Sequence, residues 1–439
     1  MTPRRAQPTV LAWLTTVCAL AALAWPQAGR SADPAAASGP ASPSAAPFDA
    51  RQAWAEWSEL LTLDYAYFKR PGVDGPKILA HFAPRALAAT TRDDFVEVAK
   101  VVAHNFADPH FNVGPGTPND PSLVPTASDL YGGFAGGRFW IRDVRSGSDA
   151  SVQGVPAGAA IVSIDGVAPA AAVERLLEQP ISALSAAQVV HGLNLALAGV
   201  RDRSRRLVVQ ANGSTREFTL RAGAQHAAAV AAAPAVVSER RGNVGIIGFN
   251  NSLGRNETIA AFRQALQSLL DTHALIIDLR NTPSGGNTTV ARAIMGHFVS
   301  RERPYQVHVV PGEQRRHGVP RKFVEYVLPL QPHYRGQVFV LGGRWTSSMG
   351  EGLMIGFDAI GARTAGSQMA LLLGAMFNET LPKSGATVEL GEEQLFQVNG
   401  APREAFRPAL YVEPAEAGPR GDPTLRAVMR ALATAPPPR

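Results

Sequence analysis

Cysteine is almost missing from this chain of 439 residues: there is one, Cys18, inside an apolar run near the start. Past that run there is no thiol nucleophile, no disulfide and no cysteine metal site. Basic runs interleaved with aromatics are also missing. The formal charge of +6 is carried mostly by scattered arginine, which argues against a nucleic-acid partner. No glycine loop leads into Gly-Lys-Ser/Thr, so a nucleotide phosphate loop is disfavoured. Histidine does not occur after His333, and lysine occurs once after Ser348, at Lys383. These two gaps limit what could serve as a base for a nucleophile in the last third of the chain.

Apolar runs are short except at the start. Arg4-Arg5 precede Val10 to Trp25, and small residues follow at Ala22-Leu23-Ala24 and around Ala32. Residues 1–32 therefore read as a secretory signal, too short and too poorly flanked for a membrane span. Val17 before Cys18 makes a poor lipobox. The expected address is a Gram-negative periplasm or the exterior, with no stable membrane insertion after cleavage. Residues 33–49 form an Ala/Pro/Ser linker with nothing to bury.

Trp54, Trp57, Leu60, Leu61 and Tyr65 recur at helical spacing, as do the apolar residues of Asp93 to Asn105, so residues 50–115 read as a helical domain. It ends in Asp108-Pro109-His110, where the proline makes the backbone extended or turned. Residues 116–226 carry short strands between glycines, with Asn212-Gly213 as a hairpin signal. The order Gly132-Gly133-Phe134, Gly147-Ser148-Asp149-Ala150, then Gly154-Val155 through Ile164-Asp165-Gly166 resembles a PDZ domain. By that resemblance Gly132, Gly133 and Phe134 belong to a loop that holds a peptide carboxylate. An Ala/Val-rich connector, residues 227–237, leads to a region, residues 236–428, that alternates strands and helices as an α/β domain does.

Within that region Val338 to Leu341 reads as a buried strand, stopped by Gly342-Gly343. Ser347-Ser348 then open an apolar helix. A hydroxyl at a helix start sits beside unpaired amides that favour a developing oxyanion. A plain N-cap serine accounts for the same pattern. The Gly285-Gly286 loop, after the strand that ends in Asp278-Leu279-Arg280, could supply further amides.

The helical segment, PDZ-like module, Asp278-Leu279-Arg280-Asn281-Thr282-Pro283-Ser284-Gly285-Gly286 stretch, strand and Ser348-x-x-Glu351 follow in an order that resembles the carboxyl-terminal processing (tail-specific) serine peptidases and their tricorn-like relatives. The resemblance runs from about Phe48 to the Asp422-Pro423-x-Leu425 tail. It implies an α+β multidomain protein with a crotonase-like catalytic domain of ββα units and no cofactor or metal. It further implies Ser348 as nucleophile, with an oxyanion hole from Met349 and Gly285 or Gly286, and a peptide or unfolded protein as substrate. Relatives with a Ser–Lys dyad carry lysine in a Gly-Lys-Gly where this chain reads Ala370-Leu371-Leu372-Leu373-Gly374. The tricorn-like pattern instead implies His110 as base and Glu404 as the acid that orients it, while Glu351 supports the helix start. An α/β-hydrolase would order its triad serine, acid, histidine, and no histidine follows Ser348. A non-catalytic peptide- or lipophile-binding protein on the same fold is the alternative reading.

Overall fold

Three β-branched runs, Val244–Phe249, Ala274–Asp278 and Gln337–Gly342, pair in parallel as neighbours in the computed structural model, which describes residues 47–419 and 421–434. The expected signal and most of the linker lie outside the described residues. Arg363–Gly366 and Leu410–Tyr411 extend the parallel array on one side, and Val236–Arg241 closes the other as an antiparallel edge, giving six strands. Strands covered on both faces need continuous apolar runs. That is the case here: Ile247, Ile277 and Val340 point into one core, Ile246, Ile276 and Phe339 into the other. Helices Glu257–Gln267, Thr288–Met295 and Met349–Ala359 fill the first, and Pro423–Thr434 covers the second.

A second sheet runs in the order Arg321–Val327, Arg303–Val310, Ala386–Phe396, Ala375–Leu381. Asn112–Gly114 joins it by pairing with Thr387–Glu389. This pairing carries the end of the helical segment into the C-terminal third of the chain. Consistently, Trp57, Leu61, Phe95 and Phe106 share one core with Leu373, Leu381, Val388 and Leu390. The helical region therefore has no core of its own. Its helices are Ala50–Leu63, Gly75–Leu87 and Arg92–Asn105. Asp49 caps the first and a Thr91–Asp94 capping box starts the third. The periodicity missed the middle helix, which has Pro84 in its interior.

The module between them is a five-stranded antiparallel sheet with helices Pro169–Leu177 and Ala186–Ala198 packed on it. Ala211 pairs with Ser214 across Asn212-Gly213, both at positive φ (51° and 77°), as a two-residue type I′ turn requires. The connector after it forms a helix, Gly223–Ala232, and then the edge strand Val236–Arg241. The strand is largely exposed, so it lacks the alternation that would reveal it.

Two histidines lie where the third helix of the helical region meets Ala186–Ala198. Burial pulls His104 down to about 4 and His191 to about 3, and their rings are 6.4 Å apart. Both are neutral in the fold at pH 7. Because the folded pKa lies below the unfolded 6.5, the stability is present above pH 6.5 and is lost as pH falls toward 4. Urea midpoints should fall between pH 7 and pH 4.5, and His191→Leu should flatten that slope. A slope left unchanged by the substitution would assign the acid lability elsewhere.

Candidate active site

Asp278 and Leu341 are register partners at the carboxyl ends of adjacent parallel strands, so the loops that follow them leave the sheet side by side. The loops are bonded to each other: Thr282 N donates to Trp345 O (3.1 Å) and Ser347 N to Thr282 O (3.3 Å). Ser347 Oγ donates to Pro283 O at 2.6 Å and is fully buried. The first serine of the pair is thus a fastener. At the base of the first loop Arg280 is held between Asp278 (2.6 Å) and Asp422 (2.7 Å), which anchors the Asp-Pro tail beneath the site.

Ser348 directly precedes the helix Met349–Ala359, with φ +50° and ψ −113°. A non-glycine residue there costs about 1–3 kcal/mol and persists only where its surroundings fix it. Residues 341–347 are buried, whereas Ser348 and Met349 are partly exposed and line a cleft of about 530 Å³. This agrees with the expected strand, turn and helix.

The Gly285 backbone touches this turn. Its φ is +65°, and a Cβ there would stand 2.3 Å from Ser348 Cβ and 2.9 Å from both Met349 N and Ser348 Oγ. The glycine backbone is thus packed directly on the serine turn, where any side chain would force Ser348 and Met349 to shift. Gly285 N itself donates to Thr282 O at 3.1 Å, so it is spent. Gly286 N has no partner among the described residues, and Met349 N, at the first helical position, precedes the intrahelical ladder. Of the two expected glycines, Gly286 keeps a free amide and Gly285 allows the close approach of the loop to Ser348.

His110 lines the same cleft and is buried. Its Nδ1 is 3.0 Å from Leu373 O. A carbonyl only accepts, so Nδ1 carries the proton and Nε2 keeps its lone pair. Burial holds its pKa below the ordinary imidazole value, against the pull of Asp108, and the ring is neutral at pH 7. Glu404 is not its orienting partner. That carboxylate makes no hydrogen bond among the described residues and does not line the cleft. The correction has a geometric cause: Arg403–Ala405 is a single 3₁₀ turn, and Arg403 is the residue it points inward.

Arg403, 2% exposed, donates to Ser348 O (3.3 Å), Leu372 O (2.6 Å) and Gly374 O (3.2 Å). Glu351 works from the other side, accepting from Ser348 N (2.9 Å), Leu371 N (3.0 Å) and Leu372 N (3.2 Å). Burial pushes Glu351 up to about 7, although Arg403 and the three amides favour its ionised form. Each amide left unsatisfied by its loss would cost about 1–3 kcal/mol. Asp108 Oδ1 accepts from Leu373 N (3.2 Å) and His110 N (3.0 Å). Two carboxylates thus receive three consecutive amides, 371 to 373, and tie the serine turn to the histidine. Asp108 stands in the Asp-Pro-His turn that drew attention to His110, and that proximity was its only sequence signal.

Gly132, Gly133 and Phe134 lie in the strand Leu130–Ala135, not in a loop. Gly132 N already donates to Asn194 Oδ1 (2.9 Å), and a Cβ on Gly132 would meet Leu193 at 2.5 Å. Close packing explains these glycines, Gly132 under the helix and Gly133 against Trp140 of the next strand, and the expected carboxylate loop is corrected accordingly. Among the described residues no cluster of histidine and carboxylates is arranged to hold a metal ion.

Residues 242–370 match the sequence profile of Peptidase family S41. Among solved structures the chain is similar to a photosystem II D1 C-terminal processing protease, with TM-score 0.55 and 16% identity over 89% of this chain and 98% of that one. It is also similar to mature CPAF, with TM-score 0.57 and 16% identity over 83% and 92%. CPAF complexed with lactacystin gives TM-score 0.56 and 15% identity over 83% and 94%. At these identities the likeness is one of fold. No curated protein matches the sequence.

Proposed function

We propose that this chain, whose residues 242–370 match the profile of Peptidase family S41, is a secreted or periplasmic serine endopeptidase acting on peptides or protein C-terminal regions through an acyl-enzyme on Ser348. In this reading the module 116–226 is PDZ-like, the parallel-sheet domain is crotonase-like, and neither metal nor cofactor takes part. His110 Nε2 accepts the Ser348 proton as Oγ attacks the scissile carbonyl, and Leu373 O holds the ring in the required tautomer. The tetrahedral oxygen sits between the Met349 and Gly286 amides, and His110 returns its proton to the leaving amine.

The observation that carries this reading is the single cleft that Ser348, Met349, Gly286 and His110 all line. A hydroxyl, two unspent amides and a ring nitrogen with a free lone pair border one space that a peptide could enter. A fluorophosphonate probe should label the wild-type chain at Ser348, and Ser348→Ala should abolish labelling. A folded chain that stays unlabelled at pH 7 to 9 would point to the non-catalytic binder instead.

A further inference from the structure

The serine turn and the histidine are joined by a stretch without regular structure. Residues 368–373 form neither helix nor strand, and Leu371 and Gly374 hold φ of +65° and +70°. A leucine in that conformation persists only where its surroundings fix it. The amides of 371 and 372 go to Glu351 and that of 373 to Asp108. The carbonyls are taken in turn as well. Leu373 O receives His110 Nδ1, and its two neighbours, Leu372 O and Gly374 O, both receive Arg403 Nη2. Arg403 Nη1 meanwhile donates to Ser348 O (3.3 Å). One guanidinium, 2% exposed and at the border of the cleft, bonds the carbonyl of the nucleophile and both neighbours of the carbonyl that orients the histidine.

Its charge bears on the same two groups. Burial and then Arg403 disfavour the imidazolium of His110, and Asp108, which also accepts from Tyr65 Oη (2.9 Å), favours it. Burial likewise disfavours the ionised form of Glu351, and Arg403, 3.7 Å away, is foremost in restoring it. That ionised form is the one that accepts from Ser348 N. The other ionisable groups that border the cleft, His308, Glu325, Glu389 and Glu393, stand on the second sheet.

We propose that Arg403 is the positioning residue of this site, one rigid fork that fixes the serine turn and the carbonyl anchor of His110 relative to each other. This rests on the peptidase reading of the cleft and adds the group that keeps its two halves in register. A planar guanidinium presents donors from two nitrogens in a fixed geometry, whereas an ammonium is a point of charge on a flexible stem. Lysine at this position keeps the charge and loses the fork, and methionine loses both.

Kinetics and histidine titration together test it. Arg403→Lys should lower kcat about tenfold, with KM little changed and the acid limb of kcat/KM where the wild type has it. Arg403→Met should lower kcat about a hundredfold and move that limb to higher pH, because His110 gains a proton more readily without the cation. Glu404→Gln, on the same 3₁₀ turn, is the control and should match the wild type. The His110 ring is also followed by NMR in chains with ¹³C-labelled histidine, its resonance identified by its loss in His110→Gln. Its midpoint should rise in Arg403→Met and stay in place in Arg403→Lys. A lysine variant with the kcat of the wild type overturns the proposal, as does a folded methionine variant whose acid limb and His110 titration are unmoved. If the methionine variant fails to fold, the kcat of the lysine variant decides. The titration needs no turnover, so a wild-type chain that neither cleaves peptides nor takes the fluorophosphonate overturns the peptidase reading and leaves the hold of Arg403 on the histidine to be read separately.

Discussion

Gly285→Ala is expected to reduce turnover by about two to three orders of magnitude, the scale of losing an oxyanion donor. The added methyl would stand 2.3 Å from Ser348 Cβ and 2.9 Å from Ser348 Oγ and Met349 N, so the nucleophile and the amide beside it must shift away from their places. It would also place alanine at φ +65°, a cost of about 1 kcal/mol that by itself touches only stability. Gly318→Ala separates the two effects: its φ is +71°, and a Cβ there meets nothing within 4 Å. The control should lose a little stability and keep full kcat, whereas Gly285→Ala should lose kcat out of proportion to any fall in its denaturant midpoint. Equal activity in the two variants would remove this loop from the reaction.

His110→Ala should lower kcat by about two to four orders of magnitude with much less change in peptide affinity, because a missing base raises the transition state most. Lys383→Ala should change nothing. Lys383 is exposed in the turn between Ala375–Leu381 and Ala386–Phe396 and takes no part in the cleft. The pH profile gives an independent check. Burial depresses the His110 pKa, so the ring keeps its lone pair below pH 6.5, and the acid limb of kcat/KM should lie under that value. Full activity in His110→Ala with loss in Lys383→Ala would show that the base is the lysine.

The parts of the site that were legible in the sequence are those fixed by local chemistry. A β-branched run, two glycines, small residues and an apolar helix can hardly fold except as strand, turn and helix, and Ser348 follows from that. Asp108-Pro109-His110 was legible because proline forbids continuing the helix. The partner of His110 was not legible, since Leu373 contributes a backbone carbonyl and any residue at that position has one. Choosing between Arg403 and Glu404 needed the phase of a three-residue turn, which no periodicity sets. The contact of His308, on Arg303–Val310, with Glu393, on Ala386–Phe396, comes from a long-range strand pairing, so the two look like unrelated surface charges until the sheet forms. Gly132-Gly133 misled for a similar reason: a glycine pressed by a helix or a tryptophan reads the same as one in a binding loop.

The tie between His110 and Leu373 spans 263 positions of the chain. During synthesis the histidine leaves the ribosome early, and the residues that orient it, from Glu351 to Arg403, come almost last. A nascent chain, or one cut short before Leu373, would have its imidazole without an anchor. One that ends before Arg403 would have its serine turn without the guanidinium that clasps it. On the peptidase reading the site is therefore complete only when nearly all of the chain has been made and folded, since its parts come from distant stretches of the sequence.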